Sequence, residues 1–353
     1  MTTEVPEGVD LERLRSWFAQ HVDGATGEPL SASLISGGRS NLTYTIGDGT
    51  NEWVLRRPPL GHVLPTAHDM AREYRVLSAL QPTDVPVPRT YAFSDDNDVN
   101  GAPFYVMEKV DGRILRSPAD LAPLTTDDAR RCSEELIDVM VHIHAVDYRA
   151  VGLEEFGRPD GYLERQVRRW NQQWEGSKAA GCPDTPAIDE LARRLRNALP
   201  RSGPPTIVHG DYRLDNTMLA PDDAGRVVAV LDWEMATLGD PLADLGLFLL
   251  YWGRSEAQVV ATGAVISTDA GFLSRDDVIE RYAKQSGRAL DELDWYEVFA
   301  SYKLAIIVAG IHARYLMGKT LGEGFDHMGE LVSRLAEGAV EFASQSSIAA
   351  LRT

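Results

Sequence analysis

The run IVHGDYRLDN at 207–216 places a histidine, His209, two residues before an aspartate, Asp211, and an asparagine, Asn216, five residues after it. VVAVLDWE at 227–234 then carries an apolar run into a second aspartate, Asp232. Moving a phosphoryl group asks little covalent chemistry of a protein. It needs an in-line hydroxyl, an acceptor for the hydroxyl proton, and cations on the phosphate oxygens. Asp211 has the chemistry to orient a hydroxyl and take its proton, assistance worth about 10²–10⁴-fold. The amide oxygen of Asn216 and the carboxylate of Asp232 are hard donors of the kind that hold magnesium against nucleotide phosphates. His209 reads as a brace for the loop rather than a proton carrier. Alone, HGD is an ordinary turn and DWE an ordinary strand end; together and in this order they predict phosphoryl transfer.

The first third of the chain supplies a nucleotide side. In SLISGGRSNLTY at 33–44, Gly37 and Gly38 sit between two strand-like runs, where bare backbone can approach phosphates and donate N–H groups. A plain hairpin turn has the same signature. Arg39, Ser40 and Asn41 would add donors. In a helix over about 66–80, Met70, Tyr74 and Leu77 form a stripe that includes Glu73. An inward carboxylate wants a cation. The strand EWVLRR offers Arg56, placed to hold phosphates while pairing with Glu73, with Arg57 on the opposite face as the rival. PFYVMEKV at 103–110 ends where an adenine ring would meet backbone groups from Met107 through Glu108 to Val110. Met107 equally suits plain core.

The elements that must position these residues divide into two kinds. An amphipathic helix over 8–22 carries Leu11, Leu14, Phe18 and Val22, and the runs SASLIS, NLTYTIG, EWVLRR and PFYVMEKV read as one mostly antiparallel sheet. Beyond about 112, helical patterns dominate at 126–147, 160–176, 186–199, 241–251, 274–286, 291–317 and 326–345, broken by short strand pairs near 206–220 and 227–231. The predicted fold is therefore α+β: a small antiparallel-sheet lobe over 1–110, which binds nucleotide, and a large, mainly helical catalytic and substrate-binding lobe over 111–353, with a cleft between them. His144 falls on the apolar stripe of 126–147 and reads as a satisfied core histidine.

Composition narrows the partners. The 353 residues are 44% hydrophobic, enough to bury sizeable cores, and 53 acidic against 35 basic residues give a net charge of -18. Nucleic acid is an unfavoured partner at that charge. Apolar runs such as LGLFLLYW and LAIIVAGI fall far short of the ~20 residues of a membrane span, so no membrane association is expected. The acidic start MTTEVPEGVD lacks signal-peptide order, and two cysteines, Cys132 and Cys182, provide no disulfide framework. The expected setting is the cytoplasm, and the expected assembly a monomer or homodimer.

With these parts in order, the chain resembles the aminoglycoside phosphotransferase and choline kinase family, which has a protein-kinase-like fold. HGDxxxxN, DWE and the GGxSN loop carry the likeness. VLRRPP at 54–59, AREYRVLSAL at 71–80, GYLERQVRRW at 161–170, HGDYRLDN and LDWE look like the kinase-like domains associated with acyl-CoA dehydrogenases. The resemblance implies an enzyme using ATP and Mg²⁺ to phosphorylate a small-molecule hydroxyl, a hydroxyacyl-CoA or related metabolite ahead of an aminoglycoside. A protein kinase uses lysine where Arg56 stands. Asp240 and Asp244, in LGDPLADLG, resemble the segment following the family's magnesium aspartate, with Asp244 as a buried acceptor bracing the loop. For the acceptor, Arg165, Arg169 and Trp170 on the helix near 160–176 suit a phosphate-bearing, ring-stacking tail, as does Arg213 in the catalytic loop. Glu234 and the acidic 154–160 segment suit a cationic sugar instead. The alternative reading is a nucleotide-binding pseudokinase or scaffold without turnover, against which Asp211, Asn216 and Asp232 stand intact.

Overall fold

The computed structural model describes residues 5–35, 41–60, 69–253, 255–263, 266–318, 325 and 327–353. Helix α1 (Leu11–His21) begins where Asp10 accepts a hydrogen bond from the Arg13 amide, and it buries Leu14 and Phe18. There follow β1 (Ser31–Leu34), β2 (Leu42–Gly47), β3 (Glu52–Arg57), α2 (Met70–Leu80), β4 (Thr90–Ser94), the single turn α3 (Asn97–Asn100) and β5 (Phe104–Glu108). The strands form one antiparallel sheet in the order β1-β2-β3-β5-β4.

Strand alternation decides what each face of this sheet does. Tyr44, Ile46, Trp53, Leu55, Phe104 and Val106 form a closed core with Leu14 and Phe18 of α1. Val54, Tyr105 and Met107 turn the other way and join a core continuous with α2 and the helical lobe. Arg56 stands opposite Thr43 of β2 and Tyr105 of β5, so the register delivers a cation to that second face. Arg57 lies on the first face, donating to the carbonyls of Gly8 (2.6 Å) and Asn100 (3.0 Å).

The remainder runs α4 (Pro118–Leu121), α5 (Thr126–Ala145), α6 (Tyr162–Ala179), α7 (Pro186–Asn197), β6 (Thr206–Val208), β7 (Thr217–Leu219), β8 (Val227–Val230), β9 (Thr237–Gly239), α8 (Pro241–Leu250), α9 (Glu256–Thr262), α10 (Arg275–Ser286), α11 (Leu293–Leu316), α12 (Met328–Gln345) and α13 (Ala349–Arg352). Helix α11 is buried around most of its circumference and packs against α6, α7, α8 and α12. The small strands pair β6 with β9 and β7 with β8, both antiparallel. Residues 209–216 join β6 to β7, and Asp232 lies between β8 and β9. No helix among the described residues is long and apolar enough to cross a membrane.

The sequence pattern located the long helices and four of the five sheet strands. It missed β4, whose apolar content is the short TYAFS beside a Pro-rich approach, along with β9 and the short helices α3, α4, α9 and α13. The missed elements are all seven residues or shorter, where periodicity is a weak signal.

Gly246 lets α8 approach α11: a Cβ there would lie 2.7 Å from the Tyr296 carbonyl oxygen. Helix propensity alone predicts that Gly246→Ala stabilises by about 1 kcal/mol. The collision reverses the sign, and urea denaturation of the variant should show a net loss of about 1–3 kcal/mol.

Candidate active site

The β7–β8 hairpin assembles the catalytic residues. Its register pairs Thr217 with Val230, and the Leu231 amide donates to the Asn216 carbonyl (2.8 Å), which seats Asn216 beside Asp232. The side-chain amide of Asn216 donates to both the carbonyl (2.8 Å) and Oδ2 (2.9 Å) of Asp211. Asn216 Oδ1 has no hydrogen-bond partner among the described residues and stays available as an acceptor. Asp232 adopts φ 65°, ψ 58°, the one left-handed non-glycine backbone among the described residues. Aspartate tolerates that region better than most residues, yet such a conformation persists only where the surroundings enforce it.

Helix α8 braces the loop from behind. Asp244 accepts the backbone N–H groups of His209 (Oδ2, 2.6 Å) and Gly210 (Oδ1, 2.8 Å) and lies 3.3 Å from His144 Nε2. Burial presses the Asp244 carboxyl upward, but the hydrogen bonds from His144 and the Gly210 amide outweigh it and hold its pKa below the usual carboxylate range. His144 is a core histidine whose other ring nitrogen bonds the Tyr282 hydroxyl (2.8 Å). Asp240 caps α8 and accepts from Tyr296. His209 contacts the Leu231 carbonyl (2.9 Å) and receives the Asp211 amide (3.2 Å), so it ties the loop to the second strand pair.

Above the hairpin, Arg56 bridges the lobes. Its guanidinium meets Asp232 Oδ1 (2.5 Å) and Glu73 Oε2 (3.1 Å), with the Glu73 side chain 2% exposed. Burial pushes the Glu73 carboxyl up to about 7, against the opposing pull of Arg56. The Arg56 guanidinium is itself disfavoured by burial, but Glu73, Tyr105 and Asp232 together raise its pKa. Asn41 reaches from the β1–β2 connection to Glu234 Oε2 (3.0 Å), a second link between lobes.

Asn41, Arg56, Glu73, Asn216 and Asp232 line one cavity of about 720 Å³, together with Thr43, Val54, Tyr105, Met107 to Val110, Arg213 and Asp215. The Glu108 amide is spent on the Arg89 carbonyl (2.7 Å). Arg213 sits between the Asp211 (3.4 Å) and Asp215 (3.0 Å) carboxylates and under the Tyr251 ring and hydroxyl.

Among the residues singled out from sequence, Asn216, Asp232, Arg56, Glu73, Asn41, Met107, Glu108, Val110 and Arg213 line this cleft, with Asp211 bonded to Asn216 and Glu234 to Asn41 just behind it. Gly37, Gly38, Arg39 and Ser40 lie outside the described residues. Arg165 turns back onto the carbonyls of Arg158 and Asp160. Trp170 is buried, with the Lys303 ammonium 5.4 Å from its ring, so it offers no open face for stacking; Arg169 is exposed. Two residues escaped the sequence reading. Tyr105 alternates with Met107 and was open to detection by strand periodicity. Lys303 was marked by its place as a lone charge inside the apolar stretch of α11.

Comparison with known proteins places the family and the fold. Residues 31–296 match the model of a phosphotransferase enzyme family. Acyl-CoA dehydrogenase family member 11 of Gallus gallus is 35% identical over 341 residues, covering 95% of this chain and 43% of that protein. This chain therefore spans under half of that relative. A Ralstonia eutropha crystal structure with a provisional aminoglycoside phosphotransferase assignment superposes with a TM-score of 0.83 at 33% identity, covering 96% of this chain and 99% of the other. Choline kinase from Cryptosporidium parvum shares the fold at a TM-score of 0.67 and 12% identity, covering 97% and 99% of the two chains. The two-lobed, kinase-like α+β fold is thus shown.

The Glu73 carboxyl generates a prediction. Its folded pKa lies near 7 against 4.5 for the free group, so the native state holds the extra proton between those values. Its contribution to stability must fall as pH rises through that window. The stability difference between the parent and Glu73→Gln, from urea unfolding at successive pH values, should therefore decline from about pH 4.5 to about 7. A flat difference would refute the assignment.

Proposed function

This chain belongs to the phosphotransferase enzyme family, and we propose that it is an ATP-dependent, magnesium-requiring kinase of a small-molecule alcohol. One observation carries the reading: Asn216 bonds Asp211 with its amide N–H groups and is held beside Asp232 by its own carbonyl. In this reading Asp211 orients the acceptor hydroxyl and takes its proton. Asn216 Oδ1 and Asp232 would hold magnesium, whose preference for hard oxygen donors and few protein ligands these two residues fit. The bound ion would neutralise charge on the transferred phosphate. Arg56 and Asn41, with Gly37, Gly38, Arg39 and Ser40, hold the nucleotide phosphates. The adenine edge lies along Met107–Val110, where the commitment of the Glu108 amide to Arg89 leaves the Lys109 and Val110 amides to recognise it.

The lobes divide at 110/111 under this reading, although their cores are continuous. The acceptor is a hydroxyacyl-CoA or a related acidic metabolite, ahead of an aminoglycoside. Similarity to acyl-CoA dehydrogenase family member 11 supports that order, as do Arg116 and Arg213 on the cleft wall beside the loop. Trp170 is withdrawn from the acceptor site because its ring is covered. Arg169 keeps an electrostatic role at the entrance, and Glu234 serves the lobe contact. The enzyme works in the cytoplasm, as a monomer or homodimer.

ATP consumption should require Mg²⁺ and appear with one acceptor class in a panel of hydroxyacyl-CoA esters, hydroxy acids and aminoglycosides. Asp211→Ala should reduce kcat by about 10²–10⁴-fold while calorimetry still detects Mg·ATP binding. Nucleotide binding without transfer to any acceptor would favour a scaffold, and a parental rate in Asp211→Ala would remove the base.

A further inference from the structure

Helix α11 carries one lysine, and it occupies a place an apolar residue would fill at lower cost. Lys303 is flanked by buried Tyr302, Leu304, Ala305 and Ile306. Its ammonium donates to the Gly210 carbonyl (3.1 Å) and lies over the Trp170 ring, with no carboxylate within 4.0 Å among the described residues. A largely desolvated ammonium without an ion pair is costly.

The carbonyl it bonds belongs to the peptide that joins Gly210 to Asp211. The amide of that same peptide donates to His209 Nδ1 (3.2 Å), so both polar atoms of the plane are held from outside. One residue earlier, the Gly210 N–H is fixed by Asp244 of α8; on the far side, the Asp211 carbonyl is fixed by Asn216. Gly210 itself has φ +83°, and a Cβ there would meet Met235 at 2.9 Å, so the turn cannot be stiffened by a side chain of its own. External hydrogen bonds must do it.

We propose that Lys303 is a positioning residue for phosphoryl transfer: it locks the Gly210–Asp211 peptide plane and thereby sets the direction of the Asp211 carboxylate. The proposal rests on the reading of Asp211 as the base. The charged groups facing the ammonium are Asp211 from the loop, Asp244 from α8 and Arg169 from α6. Burial and Arg169 lower its pKa, and the two carboxylates oppose them. The cation–π contact with Trp170 adds to retention of the charge. Trp170 thus serves the loop indirectly, as the seat of the lysine.

The test uses the full chain with Lys303→Met, Lys303→Arg and Lys303→Ala, reading kcat and KM for ATP, melting temperature, and amide hydrogen exchange. Small misplacement of a reacting group costs about 10²-fold, so Lys303→Met should lose roughly that much in kcat with KM for ATP unchanged. Exchange should quicken in the 207–216 segment and not across the lobe. Lys303→Arg should restore most of both, and added propylamine should partly rescue Lys303→Ala. A parental kcat and exchange pattern in Lys303→Met would overturn the proposal, as would a loss confined to melting temperature. Absence of turnover in the parent would count against the kinase reading itself, and the exchange pattern would still decide whether the lysine locks the loop.

Discussion

One buried guanidinium organises this molecule. Arg56 comes from the sheet, Glu73 from α2 and Asp232 from the helical lobe, and the three meet at 2.5 and 3.1 Å. Removing one partner from such a group strands a charge out of water, a loss of about 3–5 kcal/mol in comparable buried pairs. The carboxylates therefore have to stay where the arginine needs them, and the lobes keep their mutual position because of it. Under the proposed function, a phosphate entering the cleft would compete for that same cation and so couple nucleotide entry to release of the Asp232 carboxylate.

A second constraint works from below. The loop between β6 and β7 has little regular structure of its own, so its backbone groups are satisfied by side chains from elsewhere: Asp244 from α8, Lys303 from α11, and His209 and Asn216 from within the loop. Asp211 projects from a frame fixed at successive peptides. The cost is displaced into the surroundings, as a buried carboxylate, a half-buried lysine and a left-handed Asp232. Each is unfavourable in isolation and tolerable because the others are present.

The parts of this design that lie close together in sequence were readable there. The spacing in HGDYRLDN picked out His209, Asp211 and Asn216, which share one hydrogen-bonded loop, and a single helical stripe was enough to match Glu73 with a cation on the neighbouring strand. Strand alternation put Arg56 and Arg57 on opposite faces without choosing between them, and the structure pairs Arg56 with Glu73. Lys303 stood out as a lone charge, but its role was not readable, since its partner is a carbonyl 93 residues away and backbone carbonyls leave no trace in sequence. Trp170 showed the opposite failure. A tryptophan on an amphipathic helix has the same spacing whether it stacks on a ligand or fills a core, and only packing distinguishes them.

The central claim is that Asn216 and Asp232 are the protein's ligands in a metal site completed by nucleotide oxygens and water. A crystal structure with Mg²⁺ and a non-hydrolysable ATP analogue tests it most directly. The account predicts a magnesium ion about 2.0–2.1 Å from Asn216 Oδ1 and from an Asp232 carboxylate oxygen, with Arg56 turned toward phosphate. Metal and triphosphate bound away from these two residues, with Asp232 still paired to Arg56 alone, would contradict it.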